Sequence, residues 1–286
     1  MTLNDHQQHL FSLLSGVYDS REAANIADWV LENITGWKKI DRVVNKHSEL
    51  SAMQIAKLEQ VSSDLLKHRP VQYALGEAWF YGMKFYVNEA VLIPRPETEE
   101  LVEWVVNDFQ NKQRDDFSIL DIGSGSGCIP ISMKKNLAWA AVNSCDVSQA
   151  ALSVAMQNAK TLNTDVRFRQ LDFLNAANWQ QLGTFDVIVS NPPYIPNEEI
   201  VEMEKHVVDF EPHLALFVEN ENPLIFYKAI ADFSAQHLKT KGTIYMETHM
   251  ALANSVADIF TNERFETVQV RKDLQGKDRM VKVVRK

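Results

Sequence analysis

The chain has 286 residues, 45% of them hydrophobic and 23% charged, and carries a formal net charge of −9. This composition suits one large globular domain with a smaller companion and excludes disordered and fibrous classes. No apolar run approaches the ~20 residues that span a bilayer and the opening MTLNDHQQHL lacks an apolar signal core, so a cytoplasmic protein without membrane contact is expected. The acidic balance disfavours direct binding to long nucleic acids, which select a basic face.

From Ser20 to about Arg69 the pattern is helical, with Ile26, Trp29, Val30 and Ile34 on one face. Ser51 and Gln54 have the spacing of a capping box, in which each side chain bonds the other residue's amide. Ile55, Leu58, Val61 and Leu65 follow as an apolar stripe, and Pro70 is expected to end that helix. Residues 71–93 turn aromatic and β-prone, with Gly76 and Gly82 as punctuation, which predicts a hairpin between two domains. The expected division is a helical domain at 1–75, a hairpin linker at 76–96 and an α/β domain at 97–286.

Beyond Glu97, short apolar runs at Ser118–Ile122, 141–145, 166–169, Phe185–Ser190 and 243–247 are separated by helical stretches. That alternation predicts a parallel sheet with crossover helices. The runs 265–270 and 280–284 flank a short turn-rich link, which predicts an antiparallel last strand. Cys128 and Cys145 are too few for a disulfide framework, the histidines lack ligand spacing, and no metal is expected.

Gly123-Ser124-Gly125-Ser126-Gly127 follows the first of these strands and opens a helix, where an α/β sheet brings backbone close to a nucleotide-like ligand. The next residue, Cys128, stands where a dinucleotide fingerprint needs a third glycine, and no Lys-Ser/Thr pair of a P-loop follows. The G-x-G-x-G spacing instead resembles the S-adenosylmethionine loop of class I methyltransferases. Asp146, ending the next strand, is placed to accept hydrogen bonds from both ribose hydroxyls. Asp172-Phe173 after the third strand reads equally as an adenine edge or as a capping Asp beside a core Phe.

Phe185–Ser190 runs directly into Asn191-Pro192-Pro193-Tyr194 at the carboxyl end of the sheet. Amide and exocyclic amino nitrogens are poor nucleophiles because their lone pair is delocalised. Two acceptors, the Asn191 side-chain carbonyl and the Pro192 backbone carbonyl, can hold both N–H groups of a planar NH₂ and stabilise the charge that develops on it. The prolines fix φ and donate no amide hydrogen, and Tyr194 can lie against the substrate's flat face.

Together these residues look like the amino-nitrogen branch of class I methyltransferases, which acts on DNA adenine, ribosomal RNA guanine or protein glutamine. Three further segments are similar to the release factor glutamine methyltransferase family: Arg69-Pro70-Val71-Gln72-Tyr73-Ala74-Leu75-Gly76, the stretch 92–101 with its Pro94-Arg95-Pro96-Glu97-Thr98-Glu99 core, and 208–216. Asp278-Arg279 also fits. The sibling that methylates a ribosomal protein shares the tetrad but lacks the Pro-Arg-Pro-Glu-Thr-Glu form. The resemblance implies a Rossmann-like, mostly parallel seven-stranded sheet, S-adenosylmethionine as cofactor and class I release factors as partners. DNA or RNA amino-group methylation is the alternative, and a binding-only scaffold has no chemical need of paired acceptors. Arg95, Glu97 and Thr98 either close over cofactor or substrate, as the family suggests, or form an ordinary helix start with Thr98 capping. Glu211-Pro212 either shapes the substrate entrance or is a plain turn. His249 stands where the family usually places glycine, which puts the shape of that loop in question.

Overall fold

The computed structural model describes residues 1–286 apart from the side chain of Glu202. The chain divides into two compact units, one of residues 1–77 with 204–210 and one of residues 78–203 with 211–286.

The first unit is helical: α1 Leu3–Leu14, α2 Ser20–Thr35, α3 Lys39–Val44, α4 Ala52–Leu65 and α5 Val71–Leu75. Both α1 and α4 begin with reciprocal capping boxes, Thr2 with Asp5 and Ser51 with Gln54. Such a cap satisfies two amides that the first helical turn leaves unpaired. Gly36, at φ 70°, ends α2 in the left-handed conformation that glycine adopts without strain. The expected stripe is the core: Ile26, Val30, Ile34, Leu58, Val61 and Leu65 are buried with Leu3, Leu10 and Leu14, while Ile55 packs against its edge. Trp29 lies at the margin and donates from Nε1 to Glu77 at 3.0 Å. One expectation is corrected. Pro70 does not end α4, which stops at Leu65 before a turn with His68 at φ 63°. Pro70 instead precedes α5, so the β-prone stretch opens with a helical turn.

In the second unit a short hairpin, β1 Ala78–Phe80 and β2 Met83–Phe85, is joined by Tyr81 and Gly82, both at positive φ (49° and 74°). Two successive positive-φ residues match the twist of a two-residue hairpin loop. Phe80 and Phe85 are buried in the same core as the sheet, so the hairpin is part of this unit. Helix α6 Pro96–Phe109 then leads to the alternating elements: β3 Ser118–Ile122, α7 Cys128–Asn136, β4 Ala141–Asp146, α8 Gln149–Thr161, β5 Val166–Gln170 and β6 Phe185–Ser190. A two-residue parallel pair, β7 Ile195–Pro196 and β8 Phe217–Val218, frames the segment after β6. α9 Lys205–Phe210 falls in the first unit, and α10 His213–Leu216 and α11 Ile225–His237 lie in the second. The sequence closes with β9 Leu238–Glu247, α12 Ala253–Ile259, β10 Phe265–Lys272 and β11 Asp278–Arg285.

The sheet has seven strands in the order β10-β11-β9-β6-β3-β4-β5, and β11 alone runs antiparallel to its neighbours. From β3 the chain steps outward to β4 and β5, then returns to β6 on the other side of β3. The crevice between β3 and β6 is therefore the topological switch point, where sheets of this kind bind ligands at the carboxyl ends of their strands. Both strands are almost wholly buried, as a sheet covered on both faces requires, with Ile119, Leu120 and Ile122 in β3 and Phe185, Val187, Ile188 and Val189 in β6 as their apolar residues.

Candidate active site

Strand register places the two sequence motifs side by side. Ile122 of β3 faces Ser190 of β6, and the Ser190 hydroxyl donates to the Ile122 carbonyl at 2.7 Å. The glycine loop and Asn191 thus leave neighbouring strands at the same level. On the far side of β6, Ser190 faces Met246 of β9, which brings Glu247 to that level as well.

A cavity of about 350 Å³ opens there, lined by Gly123, Ser124, Gly125 and Ser126, by Asp146, Leu171 and Phe173, and by Asn191, Pro192 and Pro193. Arg95, Thr98 and Pro212 also line it. Two residues expected at the site are not in its wall, Gly127 and Tyr194. Gly127 has φ 81° and begins α7, and a Cβ there would lie 2.9 Å from Ile131 Cδ1 and 3.2 Å from Ala155. Its glycine is required by helix packing. Tyr194 packs against the core, and its hydroxyl donates to Glu247 Oε1 at 3.3 Å.

The loop is held by its acids. Asp146 Oδ2 accepts the Gly125 amide and Oδ1 accepts the Ser148 amide, each at 2.9 Å. A carboxylate offers about four acceptor positions, so two remain for a ligand. Asp121 is fully buried, and its Oδ2 accepts the Ser144 hydroxyl at 2.6 Å; Ser144 in turn meets the Ser124 hydroxyl at 2.5 Å. Burial pushes the Asp121 carboxyl well up, with the neighbouring Asp146 charge adding to it and the Ser144 hydroxyl opposing it. Phe173 joins both readings left open by the sequence: it is buried against Phe233 and Trp179, and it lines the cavity. Asp172 Oδ1 accepts the Leu174 amide at 3.0 Å, the local turn bond of a capping Asp.

Around Asn191 the structure brings together Thr98, which the sequence left with two readings, and Glu247, which the sequence did not single out. Asn191 Nδ2 donates to Thr98 Oγ1 at 3.1 Å, and Thr98 Oγ1 donates to Glu247 Oε2 at 2.6 Å. With Nδ2 committed to Thr98, Oδ1 is the Asn191 atom left for a ligand. Thr98 is therefore buried against the catalytic loop and does not cap α6, which has no side-chain cap. Burial, chiefly, pushes the Glu247 carboxyl up to about 7, partly offset by the Thr98 hydroxyl and the Arg279 charge. In the sequence Glu247 is only the end of an apolar run, and no local spacing ties it to position 98 or 191. Arg95 Nη2 pairs with Glu211 Oε1 at 2.5 Å, and Glu211 Oε2 accepts the Ile93 amide at 3.2 Å. The stretch 93–95 is thereby tied to the segment after the tetrad, and Glu211 is more than a turn residue. Glu97 Oε1 accepts from Gln275 Nε2 at 3.3 Å. His249 is not among the positive-φ residues, so a side chain fits where the family usually places glycine; its Nε2 lies 3.7 Å from Glu199 Oε2.

Among the described residues, no group of three or more His, Cys, Asp or Glu is arranged to hold a metal ion, and no helix is long and apolar enough to cross a membrane.

Family models match two parts of the chain, a methyltransferase small domain at residues 101–208 and a PrmC N-terminal domain at residues 7–76. The fold aligns with the catalytic domain of hMettl16, solved in complex with an RNA hairpin, at TM-score 0.54 and 15% identity over 82% of each chain. A seven-stranded sheet with a glycine loop after β3, an acid after β4 and Asn-Pro-Pro-Tyr after β6 defines a class I S-adenosylmethionine-dependent methyltransferase. Within that class, the chain is 39% identical to a release factor glutamine methyltransferase of Flavobacterium psychrophilum over 99% of both chains. It is 40% identical to one of Bacteroides thetaiotaomicron over 94% of this chain and 95% of that relative. The chain belongs to the release factor glutamine methyltransferase family.

Proposed function

We propose that this chain methylates the side-chain amide nitrogen of the glutamine in the Gly-Gly-Gln loop of class I peptide chain release factors, with S-adenosylmethionine as methyl donor, in the cytoplasm. The reading rests on the near full-length likeness to relatives named release factor glutamine methyltransferase. It is supported by Asn191 and Pro192 lining one cavity with the glycine loop and Asp146 at the carboxyl end of the sheet.

The cavity's residues fit that cofactor. Its volume lies in the range of small-molecule sites, and apolar Leu171 and Phe173 offer a wall for a purine. S-adenosylmethionine supplies an electrophilic sulfonium methyl when bound. Asp146 would accept the ribose hydroxyls with its two remaining lone-pair positions, and the positive-φ glycines 123 and 125 let backbone approach without a Cβ between.

Asn191 Oδ1 and the Pro192 carbonyl would each accept one N–H of the glutamine amide, turning its nitrogen toward the methyl. As the nitrogen gains positive charge those two bonds strengthen, which lowers the barrier more than it tightens ground-state binding. Tyr194, packed against the core with its hydroxyl on Glu247 and outside the cavity wall, is assigned to supporting the Asn191-Pro192-Pro193 turn rather than to lying against the amide. A glycine-flanked loop can deliver a glutamine into so narrow a cleft, where a helix or strand cannot. One loop offers little area, so the helical unit is assigned a second contact with the release factor that raises affinity above that of the loop alone.

Labelled methyl transfer to intact release factor, duplex DNA and ribosomal RNA, run side by side, tests the reading. Label in the release factor is the expected result. Comparable labelling of adenine in DNA with none in release factor would refute the glutamine assignment and leave only amino-nitrogen chemistry.

A further inference from the structure

We infer that Thr98 and Glu247 form a positioning pair that fixes which end of the Asn191 side-chain amide faces the substrate, an inference that rests on the proposed role of Asn191 as acceptor for the substrate amide. The oxygen and nitrogen of an asparagine amide are nearly the same size, so sterics alone do not decide its orientation. Hydrogen bonding does. An ionised carboxylate only accepts, and Glu247 Oε2 lies 2.6 Å from Thr98 Oγ1, so the single Thr98 proton is drawn to Glu247. Thr98 oxygen is then left as an acceptor, and the Asn191 group 3.1 Å away must be the donor, Nδ2. Planarity of the amide turns Oδ1 to the other side. The opposite orientation would present the Asn191 NH₂ to the substrate NH₂, donor against donor.

Three places in the fold converge to make the pair. Asn191 and Glu247 lie at the carboxyl ends of adjacent parallel strands, one residue past the partners Ser190 and Met246 in one case and at the last strand residue in the other. Thr98 comes from the first turn of α6, started there by Pro96. Thr98 and Glu247 are both buried. A buried carboxylate with no structural counter-ion in bonding contact is an expensive device, and the fold keeps it where it sets one proton.

The groups facing Glu247 from every packed element are few. Thr98 and Glu97 come from α6, the Cys128 thiol from the start of α7, the Tyr194 hydroxyl from the tetrad, and Arg279 from β11, while the Tyr227 hydroxyl of α11 bonds the Glu247 backbone carbonyl at 3.0 Å. Arg279, Thr98 and Tyr194 favour the carboxylate; burial and Glu97 oppose it, which leaves the carboxyl titrating at about 7. Once protonated, Glu247 can donate to Thr98, whose own proton is then free to meet Asn191 Oδ1, and the orientation lock is lost. An amide substrate has no titration of its own in this range, so the lock would appear directly in the pH profile of turnover.

The experiment uses the full chain, intact release factor and S-adenosylmethionine, with kcat and cofactor Kd measured over about pH 6 to 9. Wild-type kcat is expected to fall on the acid side of a midpoint near 7 while cofactor Kd changes little. Thr98→Val, which removes the hydroxyl at similar volume, is expected to lower kcat about 10- to 100-fold and to flatten the profile. Thr98→Ser should restore both level and limb. Glu247→Gln, uncharged throughout, should abolish the acid limb. A Thr98→Val enzyme with wild-type kcat, or an acid limb that persists in Glu247→Gln, overturns the inference. A readout independent of turnover is the ¹⁵N resonance of the Asn191 side-chain NH₂ in the protein alone. It should titrate with the same midpoint in wild type and not in Glu247→Gln, and its failure to titrate in wild type also overturns the inference. Failure of wild type to label release factor would instead refute the proposed function, and the resonance would still decide on the pair.

Discussion

Asp146→Ala isolates the ribose contact from the rest of the site. In the structure this carboxylate already accepts the Gly125 and Ser148 amides, so the substitution removes two loop bonds and the two acceptor positions left for a ligand. Hydrogen bonds to a charged acceptor are worth ~1.5–3 kcal/mol each, and water in the open cavity recovers part of that. Two lost ribose bonds at the lower end sum to about 3 kcal/mol, or roughly 100-fold in cofactor Kd. Asp146→Asn keeps one carbonyl acceptor and loses the charge, so about 10-fold weakening is expected, between wild type and alanine. Titration calorimetry with S-adenosylmethionine measures both, and urea unfolding separates loss of ligand from loss of loop order. Cofactor affinity in Asp146→Ala within about twofold of wild type would refute the assignment, since no compensation by water is that complete for a charge-assisted pair.

Other consequences are equally open to measurement. Asn191→Ala should collapse kcat while cofactor Kd stays within a few fold, because its carbonyl acts on the acceptor nitrogen as charge develops. Gly127→Ala should destabilise the fold by about 1–3 kcal/mol in urea unfolding, since the new Cβ meets Ile131 at 2.9 Å and the backbone is at φ 81°. Gly125→Ala, at φ 51° with open space around the Cβ, should cost only the backbone strain, about 1 kcal/mol. Glu247→Gln should reverse the usual sense of a buried mutation at high pH. Its carboxyl titrates at about 7 folded against 4.5 unfolded, so its stabilising share is full below 4.5 and is lost as pH rises through about 7. The glutamine variant should therefore gain on wild type above pH 7, by an amount on the order of 3 kcal/mol at most. A parallel pH dependence of the two unfolding curves would contradict this.

The parts of the site that are contiguous in sequence were legible there. Gly123 to Ser126, Asp146 and Asn191 to Pro193 lie at strand ends, which the α/β alternation alone puts on one edge of the sheet, whereas the expectation of Gly127 and Tyr194 in the cavity wall is not met. The seven strands fall close to their expected positions because the central ones are short apolar runs and the edge ones are bounded by turns, although β9 starts at Leu238, before its apolar stretch. Helix α1 falls within the expected helical domain at 1–75 but does not stand out as an element of its own, because its buried residues Leu3, Leu10 and Leu14 are interleaved with polar ones. The end of α4 was misplaced because chain reversal at His68 depends on a positive φ that a non-glycine residue does not advertise. Thr98 stands out in the sequence, but its link to Glu247 was out of reach for a different reason. They stand 149 positions apart, and only the β6–β9 register together with the start of α6 brings them to Asn191.

The reacting nitrogen is assigned to a release factor glutamine held by Asn191 and Pro192. Mass spectrometry of release factor after incubation with the enzyme and S-adenosylmethionine tests it most directly, in parallel with release factor whose Gly-Gly-Gln glutamine is replaced by alanine. A single methyl on the Gly-Gly-Gln glutamine amide, absent from the alanine substrate and absent with Asn191→Ala enzyme, is the expected result; a methyl on any other residue, or one that survives loss of that glutamine, would contradict it.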